Sequence, residues 1–342
     1  MQQPRKHHFV QAAHIRLFTQ GNGIVNVYSK DGKKFKMTPE GLFKKKYLNS
    51  YRSETGINSD FEEFVTEIEN RTFPAVDRIA RVGSMAADDL LFVTAYLALS
   101  RIRNPSIQTG VINWHRNVVR SSIGIIEKLE KLPSVDFIGD GKERGVSELI
   151  ENGLLGIEIN NSIYLDKIFD LTRITHNLLL NGFGWGLVFS PSNNVAVSDH
   201  PLTICHPGVD FGVYGIPPGG EKCEVAFPIC RNTYLLGIWG HDFNDIASES
   251  VVRELNMRQA IFASRHVASS SASSDLEDMT REFREWSYRT RADTIPYPNG
   301  AFQIIRSGVF LNSDAAGTKQ DSPMLRTRSA ASIDKDLVVR AL

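Results

Sequence analysis

Apolar residues in this chain follow two spacings, helical through most of the first half and alternating through much of the second, with the change at Gly182. Phe9, Ala12, Ala13, Ile15 and Phe18 mark one helical face over residues 8–18, which Gly21-Asn22-Gly23 ends. Two strand-like runs, 24–29 and 34–38, flank Asp31-Gly32, a pair that predicts a tight hairpin. Asp60 and Glu63 have capping-box spacing ahead of Phe61, Phe64, Val65 and Ile68, an amphipathic helix that Pro74 is expected to kink or interrupt. The next helix opens on Asp88 and Asp89, carries Leu90, Leu91, Val93, Tyr96, Leu97 and Ile102 on its core face, and stops before Pro105. Helical spacing continues over 107–132 and 163–180, so residues 1–182 are predicted to be mainly helical with an N-terminal hairpin.

Beyond Gly182, short apolar runs at 183–190, 195–198, 202–205, 223–230 and 234–240 are split by Pro, Gly and Asn and predict a small antiparallel sheet. The loop 207–220, with Pro217-Pro218-Gly219-Gly220, is expected to be mobile. A helix over 245–266, a polar break at 269–274 and a charged helix over 275–289 follow. The pattern therefore predicts an α+β fold, predominantly helical, with a small, mostly antiparallel sheet in the C-terminal half. It predicts one compact domain over 1–312 and, because core residues are sparse from Ser313 onward, a flexible tail over 313–342.

Composition narrows the function classes. With 342 residues and 42% hydrophobic content, the chain can build a core without staples. Basic and acidic side chains number 39 each, so overall charge drives the chain to neither nucleic acid nor membrane. Charge is uneven, however: the first fifty residues hold ten basic side chains against Asp31 and Glu40. Three cysteines, no apolar stretch behind the polar start, and a longest apolar run of only 90–99 predict a cytoplasmic protein with no membrane span.

Several pieces then fall into a familiar order. Lys6-His7-His8-Phe9-Val10, with Arg16 and Phe18, is similar to the opening "HHxVPQxxLxxF" of the microbial domain of unknown function 4238 family. Glu69 lies in the helix where that family carries an acid, Arg103-Asn104-Pro105 resembles its "RTP", and Ser198-Asp199-His200-Pro201 resembles its "SDNP". Phe227-Pro228-Ile229 with Tyr234-Leu235-Leu236, and Leu255-Asn256 with Arg258-Gln259-Ala260, resemble its later motifs, so the likeness spans about residues 5–268. Gln11 stands where the family has proline, Ala12 where it has glutamine, and His200 where it has asparagine. The resemblance implies no reaction.

Four constellations could carry chemistry. His8, Glu69, Asp199 and His200 offer imidazoles and carboxylates for acid/base work, and His7, His8 and Asp199 offer ligands for a divalent metal ion. The competing interpretation is structural, with Asp199 accepting backbone N–H groups in a turn before Pro201. Arg103, Asn256 and Arg258, with Arg265 seven residues on, could hold an anionic substrate or pair with acids and tie helices together. Cys205, His206, Cys223, Cys230 and His241 fit no zinc spacing and are expected to be buried thiols and neighbours. Lys33, Lys34, Lys36, Lys44, Lys45 and Lys46, interleaved with Phe35, Phe43, Tyr47 and Tyr51, suit nucleic acid or simply make a solvated face.

The sequence lacks G-x-G-x-x-G, Walker A, G-x-S-x-G and H-E-x-x-H patterns, which argues against nucleotide-loop and α/β-hydrolase enzymes. Two expectations stand. One is a hydrolase-like enzyme on a phosphate-containing or nucleic-acid substrate, with His8 and Asp199 in acid/base or metal roles and Arg103, Asn256, Arg258, Lys44 and Lys45 holding the anion. The other is a non-catalytic module for a protein or nucleic-acid partner.

Overall fold

The computed structural model describes residues 6–46, 48, 51–53, 56–58, 60–129, 132–137, 139–210, 216–297, 300–312, 322–334, 337 and 339–341. The N-terminal part runs β1 (Lys6–His8), α1 (Ala12–Arg16), β2 (Val25–Ser29), β3 (Lys34–Met37), β4 (Lys44–Lys46), β5 (Tyr51–Ser53) and β6 (Gly56–Asn58). Gly32 closes the predicted β2–β3 hairpin at φ +86°, where a side chain would be strained. Helices α2 (Asp60–Val82), α3 (Ala87–Ile102), α4 (Pro105–Lys128), α5 (Val146–Glu151) and α6 (Ser162–Gly182) follow. Pro74 does not break α2. The carbonyl that loses its donor belongs to Asn70, an exposed residue, so water can serve it.

After Gly182 come β7 (Phe183–Phe189), β8 (Ala196–Ser198), β9 (Thr203–Cys205), β10 (Glu224–Cys230), β11 (Thr233–Trp239), β12 (His241–Phe243) and β13 (Ile246–Ala247). Then follow α7 (Glu249–Phe262), β14 (His266–Ser269), α8 (Ser274–Glu282), β15 (Trp286–Tyr297), β16 (Gly300–Leu311), α9 (Ala330–Ile333) and β17 (Val339–Ala341). Among the described residues helix outweighs strand, which fits the α+β class.

The largest sheet has the order β13-β7-β11-β10-β9, extended by β12 and β17, and is antiparallel except at β13–β7. It is buried on both faces, which is why its strands read as unbroken apolar runs. Alternation sends Leu187, Phe227 and Leu235 into a core shared with α2, α3 and α6. Val188, Ala226 and Leu236 enter a second core with α7 and a four-stranded sheet. That second sheet, β3-β2-β14-β8, joins the N-terminal hairpin to two strands from beyond residue 195. Sheets are therefore not confined to the C-terminal half.

Two other expectations change. The charged helix over 275–289 stops at Glu282, because Trp286, Tyr288 and Thr290 are buried at a spacing of two and begin a strand. Within the expected flexible tail, residues 322–334 instead pack against the body, with Met324 and Ala330 buried. Of the loop expected to be mobile, 211–215 lie outside the described residues, whereas the Ile216 amide donates to Ser307 O at 2.7 Å and Gly219 lies against Trp239. Among the described residues, no single helix is long and apolar enough to cross a membrane.

Candidate functional site

Asp199 follows β8, at the rim where the second sheet meets the start of α4. Its carboxylate accepts three backbone amides from the turn between α7 and β14: Ser264 N at 2.7 Å on Oδ1, then Arg265 N at 2.7 Å and His266 N at 3.2 Å on Oδ2. Burial pushes its carboxyl above the ordinary value, and those amides pull the other way. Behind it, buried Lys30 donates to Ile261 O and Trp286 O, and burial lowers its amine to about 7 against the pull of Asp199. Asp199 is thus committed to holding a loop, the structural role set against catalysis above, although its partners are distant in sequence.

The segment Arg103-Asn104-Pro105 joins the two ends of the motif set. The Asn104 side chain donates to Asp199 O at 2.9 Å and accepts Ser106 N at 2.9 Å, capping α4, which Pro105 opens. The buried Arg103 guanidinium turns the other way, to Glu69 Oε1 at 2.9 Å and to His8 O. Gln11 also donates to Glu69, and burial raises the Glu69 carboxyl against the pull of Arg103. His8 meets Arg103 through its backbone. Its ring Nε2 faces Glu40 O at 3.3 Å, and burial lowers its basicity. His7 points to Glu62 through Nδ1 at 3.0 Å. The expected convergence therefore exists, but it is built from backbone atoms, and His8, Glu69 and Asp199 do not form one acid/base cluster. Nor do His7, His8 and Asp199 form a ligand set: among the described residues, no three His, Cys, Asp or Glu side chains are grouped to hold a metal ion.

Three of the other expected site residues, Asn256, Arg258 and His200, have side chains engaged within the fold. Asn256 spends its side chain on Ala196 N, the Tyr234 hydroxyl and Asn194 O, at 2.8 to 2.9 Å, so it cannot reach a substrate. Arg258 is fully buried, with Nε on Glu254 at 3.2 Å and Nη2 on Glu224 at 2.8 Å and Arg328 O at 2.6 Å. Because α7 ends at Phe262, Arg265 does not share its helical face. His200 packs against Tyr288 and Phe262, which stack on each other, with Nδ1 donating to Leu202 O at 3.1 Å, and burial lowers it to about 3. The three cysteines are buried and free, and burial raises Cys205 to about 11 and Cys223 to about 12, so both remain thiols.

What does open to solvent beside Asp199 is a cleft of about 490 Å³. Phe9, Phe35, Met37 and Phe43 give it an apolar wall, and Lys44, Lys45 and Arg265 give it cations. Asn104, Pro105 and Ser106 present the N-terminal turn of α4, and Ser106 Oγ is buried with no hydrogen-bond partner. Asp199 is the one carboxylate among the described lining residues, and its oxygens face the loop amides. Phe43 adopts φ 48°, rare for a bulky residue. Its carbonyl receives Phe9 N at 2.8 Å, and its ring lies 6.1 Å from that of Phe9. Such a conformation costs roughly 1–3 kcal/mol and persists only where the surroundings enforce it. Lys44 donates to Glu40 O at 2.8 Å and Lys45 to Gln108 at 2.9 Å, both neutral acceptors that leave the positive charges uncancelled.

Of the cleft, the lysines with Phe35 and Phe43 were legible as rings interleaved with charge. Phe9, Ser264 and His266 were missed, since Phe9 and the α7–β14 turn that carries the other two come from distant parts of the chain. Tyr47 lies outside the described residues.

Fold and cleft together define an α+β protein with a basic, ring-walled cavity at a helix N-terminus. The model of the protein family of unknown function DUF4238 matches residues 6–273, and the chain belongs to that family. No curated protein and no solved structure matches it.

Proposed function

We propose that this chain is a binding protein whose cleft holds a phosphate-bearing ligand with a planar ring, a nucleotide unit being the simplest fit. The observation that carries this is the union of Phe9, Phe35 and Phe43 with Lys44, Lys45 and Arg265 around one cavity. A cavity of about 490 Å³ is the size of ordinary small-ligand sites. Rings offer faces for stacking, the lysines and arginine balance phosphate charge, and the first turn of α4 adds the positive end of a 24-residue helix. Binding is favoured over hydrolysis because the carboxylate at the cleft is engaged by three amides and the His8 ring by a carbonyl.

Calorimetric titration with nucleoside 5′-monophosphates, the parent nucleosides and inorganic phosphate tests this. The nucleotide is expected to bind best, to be recovered unchanged, and to lose about tenfold, ~1.4 kcal/mol, in Lys44→Ala and again in Phe35→Ala. Absence of binding by every nucleotide overturns the proposal, and turnover of the ligand restores the hydrolase interpretation.

A further inference from the structure

The cations do not stop at the cleft. Strand β4 carries Lys44, Lys45 and Lys46, all exposed, and only the first two line the cavity. Side chains two residues apart on a strand share a face and stand about 6.6 Å apart along it, so Lys46 continues the line of Lys44 away from the cleft. That distance is comparable to the step between successive phosphates of an extended single strand. At the same end the ladder places Lys6 of β1 opposite Lys46. Across the mouth, β3 alternates exposed Lys36 with Phe35 and Met37 of the wall. The nearby acid Glu40 is paired with Arg16 at 2.8 Å. A lone nucleotide would fill the cleft and leave this outer row unused.

Resting on the cleft reading above, we infer that the ligand is a single-stranded nucleic acid, with one base among the phenylalanines and the next phosphate on Lys46. A duplex is disfavoured because its bases are stacked and paired, whereas the wall requires an accessible ring face.

The test is fluorescence anisotropy on the full chain with oligothymidylate and oligouridylate of about twelve nucleotides, the thymidylate annealed to its complement, and thymidine 5′-monophosphate as competitor. The oligomers are expected to bind at least about tenfold tighter than the monophosphate, with a log–log salt slope of roughly −0.7 per phosphate contacted. Lys46→Glu is expected to weaken oligomers about tenfold or more while leaving the monophosphate within about twofold, and Lys142→Glu, on a distant loop, to change neither. The ratio of thymidylate to uridylate affinity decides between DNA and RNA. If the monophosphate binds but oligomers bind no tighter, if Lys46→Glu spares oligomers, or if the duplex binds as well as the single strand, this inference is overturned and the cleft reading stands. If neither monophosphate nor oligomer binds, both fall.

Discussion

Asp199 and Ser264 are 65 residues apart in sequence, yet the carboxylate of the first accepts the amide of the second at 2.7 Å. With the Arg265 and His266 amides on the other oxygen, one side chain fixes the backbone that carries three lining residues of the cleft. Asp199→Asn places an NH₂ where an oxygen must accept, so it is expected to cost about 2–3 kcal/mol of stability in urea unfolding. It should also weaken nucleotide binding, because Arg265 loses its anchor. Unchanged stability would mean that the amides find other partners.

Acid should destabilise the fold through two buried imidazoles. Burial lowers His200 to about 3, with nearby Arg101 adding to the effect, and lowers His14 to about 4. In the unfolded chain both protonate near the ordinary value of about 6.5. Between these values the unfolded state binds more protons than the folded one, so stability falls as pH drops below about 6.5. His200→Asn removes one such group and retains a donor toward Leu202 O. It should lose about 2 kcal/mol less than the parent between pH 7.5 and pH 5 in paired urea titrations.

Breaking the Arg258 cluster should loosen the C-terminal segment. Glu224 and Glu254 pair with this guanidinium, Glu224 also accepts Ser329 Oγ at 2.7 Å, and Glu254 accepts Arg328 N at 3.0 Å. Arg258→Ala leaves two buried carboxylates uncompensated and is expected to cost about 3–5 kcal/mol. Limited trypsin digestion should then cut after Arg326 and Arg328 faster than in the parent; equal rates would show that the segment is held some other way.

Packing of the long hairpin on α4 leaves no room at Gly110. A Cβ there would lie 2.3 Å from Thr290 Cγ2 and 2.8 Å from Thr290 O. Gly110→Ala should cost about 1–3 kcal/mol, since backbone cannot step aside as a side chain does. Gly21→Ala, where an added Cβ meets nothing, is the control and should stay within about 0.5 kcal/mol of the parent in thermal melts.

Local signals read well from sequence, and long-range partners did not. The runs at 183–190, 223–230 and 234–240 became β7, β10 and β11, and Asp31-Gly32 closed its hairpin, because each depends on neighbours within a few residues. The pairing of β2 with β14 joins Tyr28 to Val267, which alternation alone cannot choose. Ser198-Asp199-His200-Pro201 stood out correctly as a rim motif, but Asp199 is occupied by the backbone amides of Ser264, Arg265 and His266, and backbone donors leave no mark in the pattern of side chains. Arg258 was offered to an anion and met one, only in the form of Glu224 and Glu254. The segment from 322 to 334 looked unanchored because its apolar anchors, Met324 and Ala330, make no periodic stripe and the rest of its hold is on a buried charge cluster.

That cluster bears on how the chain can be divided. The family match closes at residue 273, but the partners of Glu224 sit at 329 and 330, and β15 lies along α4. A fragment trimmed to the family boundary would strip the cover from an arginine and two glutamates at its centre. Recombinant pieces meant to isolate the family's shared portion should therefore retain this wrap or expect insoluble product.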